Sequence, residues 1–358
     1  MSILAIDGSY GEGGGAVLRN ALSLSAVLGE PIRIENVRVK RPNPGLQAQH
    51  LTAVRALAKV CQAKVDGAEL GSLALTFQPQ SSPQSGEYSW DVAEARKGGS
   101  AGATSLVFQA LLVPLLHAKG DSRLSLRGGT HVAWSPPFHY LESVYLPTLH
   151  QMGVSARVDI ERWGWYPIGE GVVTAHISGS GDAAPSMRGM NLMERGPLQR
   201  LSGVSAFSNL PGHIAERQKH RAQSILRAEG FDPEIEIADA PARGQGTMMF
   251  LLAEFESVRA GFTSLGRKGK PAEQVAEDAC KEFLEYFESG AALDRHLADQ
   301  LVLPLALVTG ASSFTTCDLS QHLLTNVWIV EQLLGRHVDV EGEKGKSGRV
   351  SISERTHV

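Results

Sequence analysis

An arrangement of helices and strands that recurs three times along the chain limits most strongly what it can fold into. In each copy a helix is followed by a strand, a loop containing Gly or Pro, a second helix and alternating strands. The first helices read GAVLRNALSLSAVLG, GATSLVFQALLVPLLH and LADQLVLPLALV, and the second read PGLQAQHLTAVRALAKV, PPFHYLESVYLPTLHQMG and LSQHLLTNVWIVEQLLG. Because an amphipathic helix packs its apolar face against a sheet, the pattern predicts an α/β (α+β) fold made of three repeats.

A stretch between the second and third repeats breaks this pattern. It has its own polar helix, AERQKHRAQSILRAEG, two strand candidates and a further helix, AEQVAEDACKEFLEYFE. We therefore predict a core domain formed by residues 1–184 and 289–358, with the third repeat at its C-terminal end. Residues 185–288 are predicted to form a smaller inserted α/β domain.

The composition is that of a soluble globular protein, with 42% hydrophobic and 20% charged residues. We find neither an apolar run of about 20 residues nor a signal peptide, so we expect a cytoplasmic protein with no membrane partner. A formal net charge of −4 gives no overall attraction to nucleic acid. A polyanion would therefore need a local cluster of basic side chains.

The segment DGSYGEGGGAVLRN, residues 7 to 20, is a Gly-rich loop that leads into a helix. Clustered glycines let backbone N–H groups approach a phosphate, and the helix N-terminus adds partial positive charge. A plain tight turn is the alternative. Glu12 favours a phosphate site that includes a divalent cation, because a carboxylate alone would repel phosphate. Arg19, one turn into the helix, is placed to contact the same phosphates.

The segment RVKRPNPGLQAQH gathers Arg38, Lys40 and Arg41 ahead of a helix that carries Gln49 and His50. Three cations in four positions are typical of a site that attracts a polyanion, and a solvated basic edge is the alternative.

Two further Gly-rich segments follow. ARKGGSAGAT, residues 95 to 104, is a second helix entry, with Gln109 on the helix after it. RGGTHVAWSPPF, residues 127 to 138, contains Trp134 and Phe138, which either stack on a nucleic-acid base or pack in the core.

The segment DLSQHLLTNVWIVEQLLG, residues 318 to 335, predicts a helix with His322 in its first turn, capped by Asp318 or Ser320. The partial positive charge at the helix N-terminus favours neutral imidazole, which is the nucleophilic form. A solvated histidine beside the cap is the alternative. QAQHL in the first repeat matches LSQHL in the third, so His50 and His322 occupy equivalent positions and would meet if the repeats face one another.

With these residues assembled, the chain resembles the RNA 3'-terminal phosphate cyclase family over nearly its whole length. The segments that carry the resemblance are GEGGGAVLRNALSLS, PGLQAQHLTAVRALA, AELGS, RGGT, GWYPIGEGVV, HLADQLVLPLAL and SQHLLTN. The resemblance implies three copies of a unit with two helices on a four-stranded sheet. This unit is similar to the C-terminal domain of bacterial translation initiation factor three, and a smaller domain is inserted before the third copy.

For chemistry, the resemblance implies an ATP-dependent reaction on RNA that ends in a 3'-phosphate. His322 would attack the α-phosphate of ATP and form a covalent histidinyl-AMP, with release of pyrophosphate. The AMP would pass to the RNA 3'-phosphate, and the ribose 2'-hydroxyl would then close a 2',3'-cyclic phosphodiester and release AMP. Such in-line displacements need positioning and charge neutralisation above all.

The resemblance also assigns roles to individual residues. Glu12 would bind a divalent metal ion, Mg or Mn. Asp299 in HLADQ matches a carboxylate that contacts adenosine, and Pro136 lies where the nucleotide pocket has a proline. The other residues that the resemblance assigns to nucleotide and phosphate binding are Arg19, Arg38, Arg41, Gln49, His50 and Gln109. Glu12 belongs to this set as well as to the metal site.

Three positions depart from the family pattern. Ala16 follows the glycines where relatives usually have Gln, Glu170 interrupts a glycine triplet, and His296 lies where relatives can have a tyrosine near the adenine.

Two other functions stay open. One is a noncatalytic RNA-binding or ribosome-assembly factor, whose branch of the superfamily lacks the histidine. The other is an enolpyruvyl transferase built on related repeats, which leaves His322 without a role.

Overall fold

The computed structural model of the protein describes residues 3–180 and 187–354, which form four sheets of four strands each. The first sheet contains, in spatial order, β1 (Leu4–Asp7), β2 (Ile32–Glu35), β4 (Leu75–Gln78) and β3 (Lys64–Asp66). The second sheet contains β5 (Glu87–Asp91), β6 (Ser122–Gly128), β8 (Gly171–Ile177) and β7 (Ala156–Arg162).

The other two sheets come from the C-terminal half of the chain. The third contains β11 (Glu234–Asp239), β10 (Leu198–Ser208), β12 (Gly246–Phe255) and β13 (Arg259–Leu265). The fourth contains β15 (Val338–Gly342), β16 (Gly348–Ile352), β14 (Ser312–Thr316) and β9 (Asn191–Leu192). The predicted mixed α/β fold with four-stranded sheets is therefore confirmed.

One connection pattern is common to the first, second and fourth sheets. In each, the first two strands along the chain pair in parallel, and the fourth strand lies between the second and the third, antiparallel to both. The third sheet differs, because its first strand β10 is central and pairs with both β11 and β12.

Helices connect the strands and cover the sheets. They are α1 (Gly15–Leu28), α2 (Ala48–Val60), α3 (Thr104–Leu116), α4 (Phe138–Tyr140), α5 (Leu146–Gln151), α6 (His213–Ala228), α7 (Ala272–Ser289), α8 (Arg295–Leu307) and α9 (Gln321–Leu334). A π-helical turn, Leu141–Tyr145, joins α4 to α5, and a 3₁₀ turn, Val92–Ala95, precedes α3. Among the residues described, no helix combines the length and hydrophobicity that crossing a bilayer requires.

The packing of α1 determines where the candidate site lies. This helix contacts α2, α3 and α9, and its stripe of Leu18, Ala21 and Leu22 is fully buried. The apolar stripe forms this interface because removing such side chains from water stabilises the fold by about 2 kcal/mol each. The first and third predicted repeats therefore meet helix against helix, which brings the segment before α1 to the start of α9.

The third sheet packs against the turn that starts α4. His139 lies 5.7 Å from the ring of Phe250 in β12, and Trp165 donates a hydrogen bond to Ser208 Oγ in β10 at 2.8 Å.

The limits of the predicted inserted domain stay a prediction. Its start, between residues 184 and 185, lies outside the described residues, and its end, between residues 288 and 289, falls inside the last turn of α7.

Candidate active site

The Gly-rich loop between β1 and α1 needs glycine because charged side chains press against its backbone. A Cβ atom on Gly14 would lie 2.6 Å from Glu12 Oε1 and 2.7 Å from Arg41 Nη2. A Cβ atom on Gly15 would overlap His50 Nε2 and lie 2.9 Å from Arg19 Nη1. Gly14 caps α1 without a side-chain hydrogen bond, so the first N–H groups of the helix are left for another acceptor. The predicted phosphate cradle therefore has its cations already in contact with it.

The same loop is held against the first turns of α9. Tyr10 stacks on Trp328 with ring centroids 3.9 Å apart and planes 12° from parallel. Gly11 has φ of 61°, and a Cβ atom there would overlap Thr325 Oγ1 and lie 2.9 Å from Gln321 Nε2. Only glycine fits both this left-handed conformation and this close approach.

The docking of the loop brings Glu12 to His322. Nδ1 of His322 lies 2.8 Å from Oε1 of Glu12, and Nη2 of Arg41 lies 3.0 Å from Oε2. Burial raises the pKa of Glu12, but the contacts with His322 and Arg41 outweigh burial and leave this pKa below its usual value. Glu12 is therefore an anion, and the nitrogen of His322 that faces it is the one that carries hydrogen.

The orientation of His322 leaves one ring nitrogen free for chemistry. In neutral imidazole one nitrogen bears hydrogen and the other bears a lone pair. With Nδ1 facing a carboxylate, the lone pair is on Nε2. The side chain is 52% exposed, whereas that of Glu12 is 15% exposed. The imidazole is therefore open to solvent over about half of its surface, while Glu12 is largely covered.

The cap of α9 resolves the choice left open by the sequence. Ser320 is the N-cap, and its Oγ accepts a hydrogen bond from Leu323 N at 3.1 Å. Asp318 instead forms an ion pair with Arg295, with Nη2 and Oδ2 2.6 Å apart. Of the two caps left open by the sequence, Ser320 is therefore right and Asp318, which is engaged by Arg295 of α8, is wrong. His322 lies in the first turn, as predicted.

Cations surround the loop on the side of α2. Arg38 is held by two backbone carbonyls, since its Nη1 donates to Asn43 O at 2.6 Å and to Gly45 O at 2.8 Å. Burial lowers the pKa of Arg19 to about 10, while Asp299 and Glu12 raise it. Arg19 therefore stays charged at neutral pH.

His50 differs from His322 in its burial and its tautomer. It is 4% exposed, and burial, followed by the nearby Arg38 and Arg19, lowers its pKa well below the usual value. Its Nδ1 accepts a hydrogen bond from Gln47 N at 3.2 Å, so hydrogen is on Nε2. Because Nε2 faces Gly15, His50 is a neutral donor aimed at the start of α1.

The remaining predicted residues lie on the side of α8. Gln109 donates to Gln300 Oε1 at 2.5 Å, next to Asp299. Burial raises the pKa of Asp299 to about 6, although His322 and His296 lower it. Gln49 is the exception, because it lies beside the segment before α3, where its Oε1 accepts a hydrogen bond from Ala103 N at 3.0 Å.

The loop that contains Pro136 is anchored to α8 indirectly. It leads into α4, where Tyr140 donates to Asp294 Oδ1 at 2.8 Å, and Asp294 caps α8. This places Pro136 near the helix that carries Asp299, and its contact with a nucleotide stays a prediction.

Glu12 is also the residue that suits a divalent cation. Its Oε1 is buried and has no well-aligned hydrogen-bond donor among the described residues, despite the 2.8 Å contact with His322. Within those residues no three His, Cys, Asp or Glu side chains converge on a metal site. A single carboxylate fits Mg²⁺ or Mn²⁺ that takes its other ligands from phosphate and water.

Comparison with known proteins shows the family to which the chain belongs. A sequence profile of the RNA 3'-terminal phosphate cyclase family matches residues 10–340. The chain belongs to this family. The family resemblance stated above is thereby confirmed, and so is the expectation that the chain is an enzyme of the RNA 3'-terminal phosphate cyclase family.

Several relatives in the RNA 3'-terminal phosphate cyclase family match almost end to end. The RNA 3'-terminal phosphate cyclase of Methylococcus capsulatus is 49% identical over 352 residues, which cover 98% of this chain and 97% of that one. That of Pyrococcus furiosus is 40% identical over 352 residues and 98% of each chain. The solved structure of the enolpyruvyl transferase NikO from Streptomyces tendae aligns with a TM-score of 0.29 and 16% identity over 51% of this chain and 33% of that one, which carries no argument.

The sequence did not reveal the contacts that hold the site together. Asn20 donates to Asn326 Oδ1 at 2.7 Å, and Asn326 donates to Asp299 O at 2.8 Å, so one chain of amides ties α1, α9 and α8. The Tyr10–Trp328 stack was missed as well. One signal for these contacts was present in the sequence. Asn20, Asn326 and Trp328 lie within otherwise apolar helices, and Tyr10 lies beside the glycines.

We predict that Trp328→Ala releases the Gly-rich loop from α9. The free energy of unfolding should fall by about 1–3 kcal/mol because a stacked aromatic pair is lost. Hydrogen exchange of the amides of residues 11–15 should become faster. Trp90→Ala is the matched control, since it removes a ring that stacks on Tyr88 in the second sheet. If both variants leave the exchange of residues 11–15 unchanged, the stack does not hold the loop.

We predict that Asp299→Asn stabilises the nucleotide-free protein above pH 6. Because the folded carboxyl has a pKa of about 6 against 3.8 in the unfolded chain, the folded state binds more protons between these values, so stability falls as pH rises. The amide removes this cost, and the free energy of unfolding should rise by about 1–3 kcal/mol at pH 7.5. The gain should vanish below about pH 4. Asp339→Asn, at an exposed position on β15, should show neither effect.

Proposed function

We propose that the protein converts the 3'-terminal phosphate of RNA to a 2',3'-cyclic phosphodiester at the expense of ATP. The observation that carries this proposal is the contact of His322 with Glu12 at the Gly-rich loop. The proposal is supported by the closeness of this histidine to the start of α1 and to the arginines around it. The names of the near-full-length relatives support the same activity.

In the first step Nε2 of His322 attacks the α-phosphorus of ATP. The N–P bond forms as the bond to the bridging oxygen breaks, and pyrophosphate leaves with that electron pair. No base is needed, because Nε2 bears a lone pair when Nδ1 bears the hydrogen. The ring gains positive charge during this step, and the Glu12 carboxylate 2.8 Å from Nδ1 stabilises that charge.

The phosphates of ATP add several negative charges to the site. Arg19, Arg38 and Arg41 bind them by charge-assisted hydrogen bonds, and the N–H groups at the start of α1 complete the cradle. His50 donates through Nε2 without adding charge. A divalent cation held at Glu12 would neutralise phosphate charge and help orient the pyrophosphate.

In the second step an oxygen of the RNA 3'-phosphate attacks the phosphorus of the histidinyl-AMP, and His322 leaves as the neutral ring. In the third step the ribose 2'-oxygen attacks the RNA phosphorus and its proton passes to solvent water. The P–O bond of the diphosphate breaks, and AMP leaves with that electron pair. Each step is a displacement at phosphorus in which positioning lowers the barrier. Asp299 and Pro136 are assigned to the adenosine, and Gln49 and Gln109 to the wall of the pocket.

We also infer that the first, second and fourth sheets are three copies of one unit. Their common strand order supports this inference, and the different order of the third sheet supports an inserted domain. Because β9 pairs with β14, the insert would begin after Leu192 instead of at residue 185. The cytoplasmic location stays a prediction.

The test is labelling of the protein by ATP that carries radioactive α-phosphate, in the presence of Mg²⁺ or Mn²⁺. The wild-type protein should retain label that acid removes and alkali does not, as expected for a histidine phosphoramidate. His322→Asn should abolish the label. His50→Asn, the equivalent histidine of the first repeat, should slow labelling by about 10–100-fold and keep it.

Two outcomes would overturn this assignment. Label on the His322→Asn variant would place the nucleophile elsewhere. A wild-type protein that binds RNA tightly and never takes up label would favour the noncatalytic RNA-binding or ribosome-assembly function. Glu12→Gln separates binding from chemistry, because it should lower the labelling rate by about 100-fold or more at saturating ATP.

A further inference from the structure

Trp134 is the most exposed of the large apolar side chains that the structure describes, with 98% of its surface open to solvent. Its backbone has φ of 66°, in the left-handed region that a bulky residue rarely adopts. An indole in water and a backbone in that conformation both oppose folding. A strained and exposed residue of this kind indicates a role in binding and not in the stability of the fold.

The structure separates the two aromatic residues of the segment RGGTHVAWSPPF. Phe138 is 3% exposed and packs in the core, so only Trp134 is free to stack on a base. The segment pairs with the turn that follows β7 through a parallel bridge between His131 and Trp165. Directly after Trp165, Tyr166 is 77% exposed and Ile168 is 47% exposed. We call Trp134 and Tyr166 the aromatic rim.

The base of the aromatic rim is rigid. His131 stacks on Trp163 with ring centroids 4.0 Å apart, and its Nδ1 lies 2.8 Å from Thr130 Oγ1. Thr130 Oγ1 in turn accepts a hydrogen bond from Gly164 N at 2.9 Å. The two segments that present the rim are therefore fixed to each other beneath it.

One short loop joins the aromatic rim to the candidate active site. A Cβ atom on Gly169, at the end of the turn, would lie 2.9 Å from Ala101 Cα. Two residues later, Ala103 N donates to Gln49 Oε1 at 3.0 Å, and Gln49 precedes His50. The turn that carries Tyr166 is therefore linked, through residues 101–103, to the start of α2.

Positive charge lies beside the aromatic rim. Arg127 Nη2 and Arg243 Nε contact the same carboxylate, Glu170, at 3.1 and 3.2 Å. Arg96 and Lys97 are exposed on the loop that reaches the turn. The cations are few and partly paired, so stacking is expected to supply more of the affinity than charge.

We propose that the aromatic rim is a stacking platform for bases of the RNA strand upstream of its 3'-phosphate, with Trp134 as the main contact. This inference rests on the proposed function, since it takes RNA as the substrate. An RNA strand fits better than a protein partner because the rim offers separate ring faces, flanking cations and a link to the start of α2. Stacking on a ring tolerates any base, so the platform binds without sequence preference.

The test is equilibrium binding, without ATP, of a 5'-fluorescent single-stranded RNA that ends in a 3'-phosphate. Trp134→Ala should weaken binding by about 5- to 100-fold, and Trp134→Phe, which keeps a ring, by less than about 3-fold. Ile237→Ala, a change at an exposed apolar side chain on β11, is the matched control and should bind like the wild type. The slope of log affinity against log salt should be the same for Trp134→Ala and the wild type, because no phosphate contact is removed.

Abasic nucleotides locate the stacked base. Placed one at a time from the 3' end, they should weaken binding to the wild type at one or two positions. The same substitutions should have no further effect on Trp134→Ala, because the ring and the base form one contact. Abasic effects that add to those of Trp134→Ala at every position would overturn the stacking assignment.

Labelling by ATP separates this inference from the proposed function. Without RNA, Trp134→Ala should be labelled like the wild type. Two outcomes overturn the proposal, and in both the RNA affinity of Trp134→Ala is unchanged. If the variant also loses label, Trp134 contacts the nucleotide. If it instead loses binding to a protein partner, Trp134 contacts that partner. If the wild-type protein takes up no label and Trp134→Ala still weakens RNA binding, the cyclase chemistry is refuted. The rim then remains a contact for RNA.

Discussion

The contact between Glu12 and His322 is the interaction on which the rest of the site depends. It joins a loop near the start of the chain to a helix near its end, and neither segment forms a reactive centre alone. Glu12 reaches the imidazole only because the loop lacks side chains at Gly11, Gly14 and Gly15. The stack of Tyr10 on Trp328 then fixes the loop in that place. Local glycine freedom and long-range packing are therefore both needed for one 2.8 Å contact.

The candidate site contains ionisable groups that are costly to bury. Arg19 is charged although burial lowers its pKa, and Asp299 is buried enough for its pKa to reach about 6. Groups that are costly to bury persist where binding or chemistry uses them. Glu12 is paired with Arg41, and Asp299 and Glu12 both raise the pKa of Arg19. In the proposed function the phosphates of ATP add negative charge beside these arginines, and the buried carboxyl of Asp299 lowers the stability of the free protein.

The sequence predicted the parts of the site that local rules determine. The loop of residues 7 to 20, the first-turn position of His322 and the cations at residues 38–41 follow from glycine, cap and charge patterns. It did not predict which side chain caps α9, because Asp318 is engaged by Arg295 across the fold. The link from Asn20 through Asn326 to Asp299 was also invisible, since it depends on how three helices pack. The role of Trp134 stayed open because only exposure separates it from Phe138.

The spread of the site along the chain has a consequence for synthesis. The glycine loop leaves the ribosome early, whereas α9 emerges only after most of the protein has been made. A nascent chain that ends before Gln321 has the glycine loop and no imidazole beside Glu12. Incomplete chains released by stalled translation therefore lack the complete centre, however well their first sheets have folded.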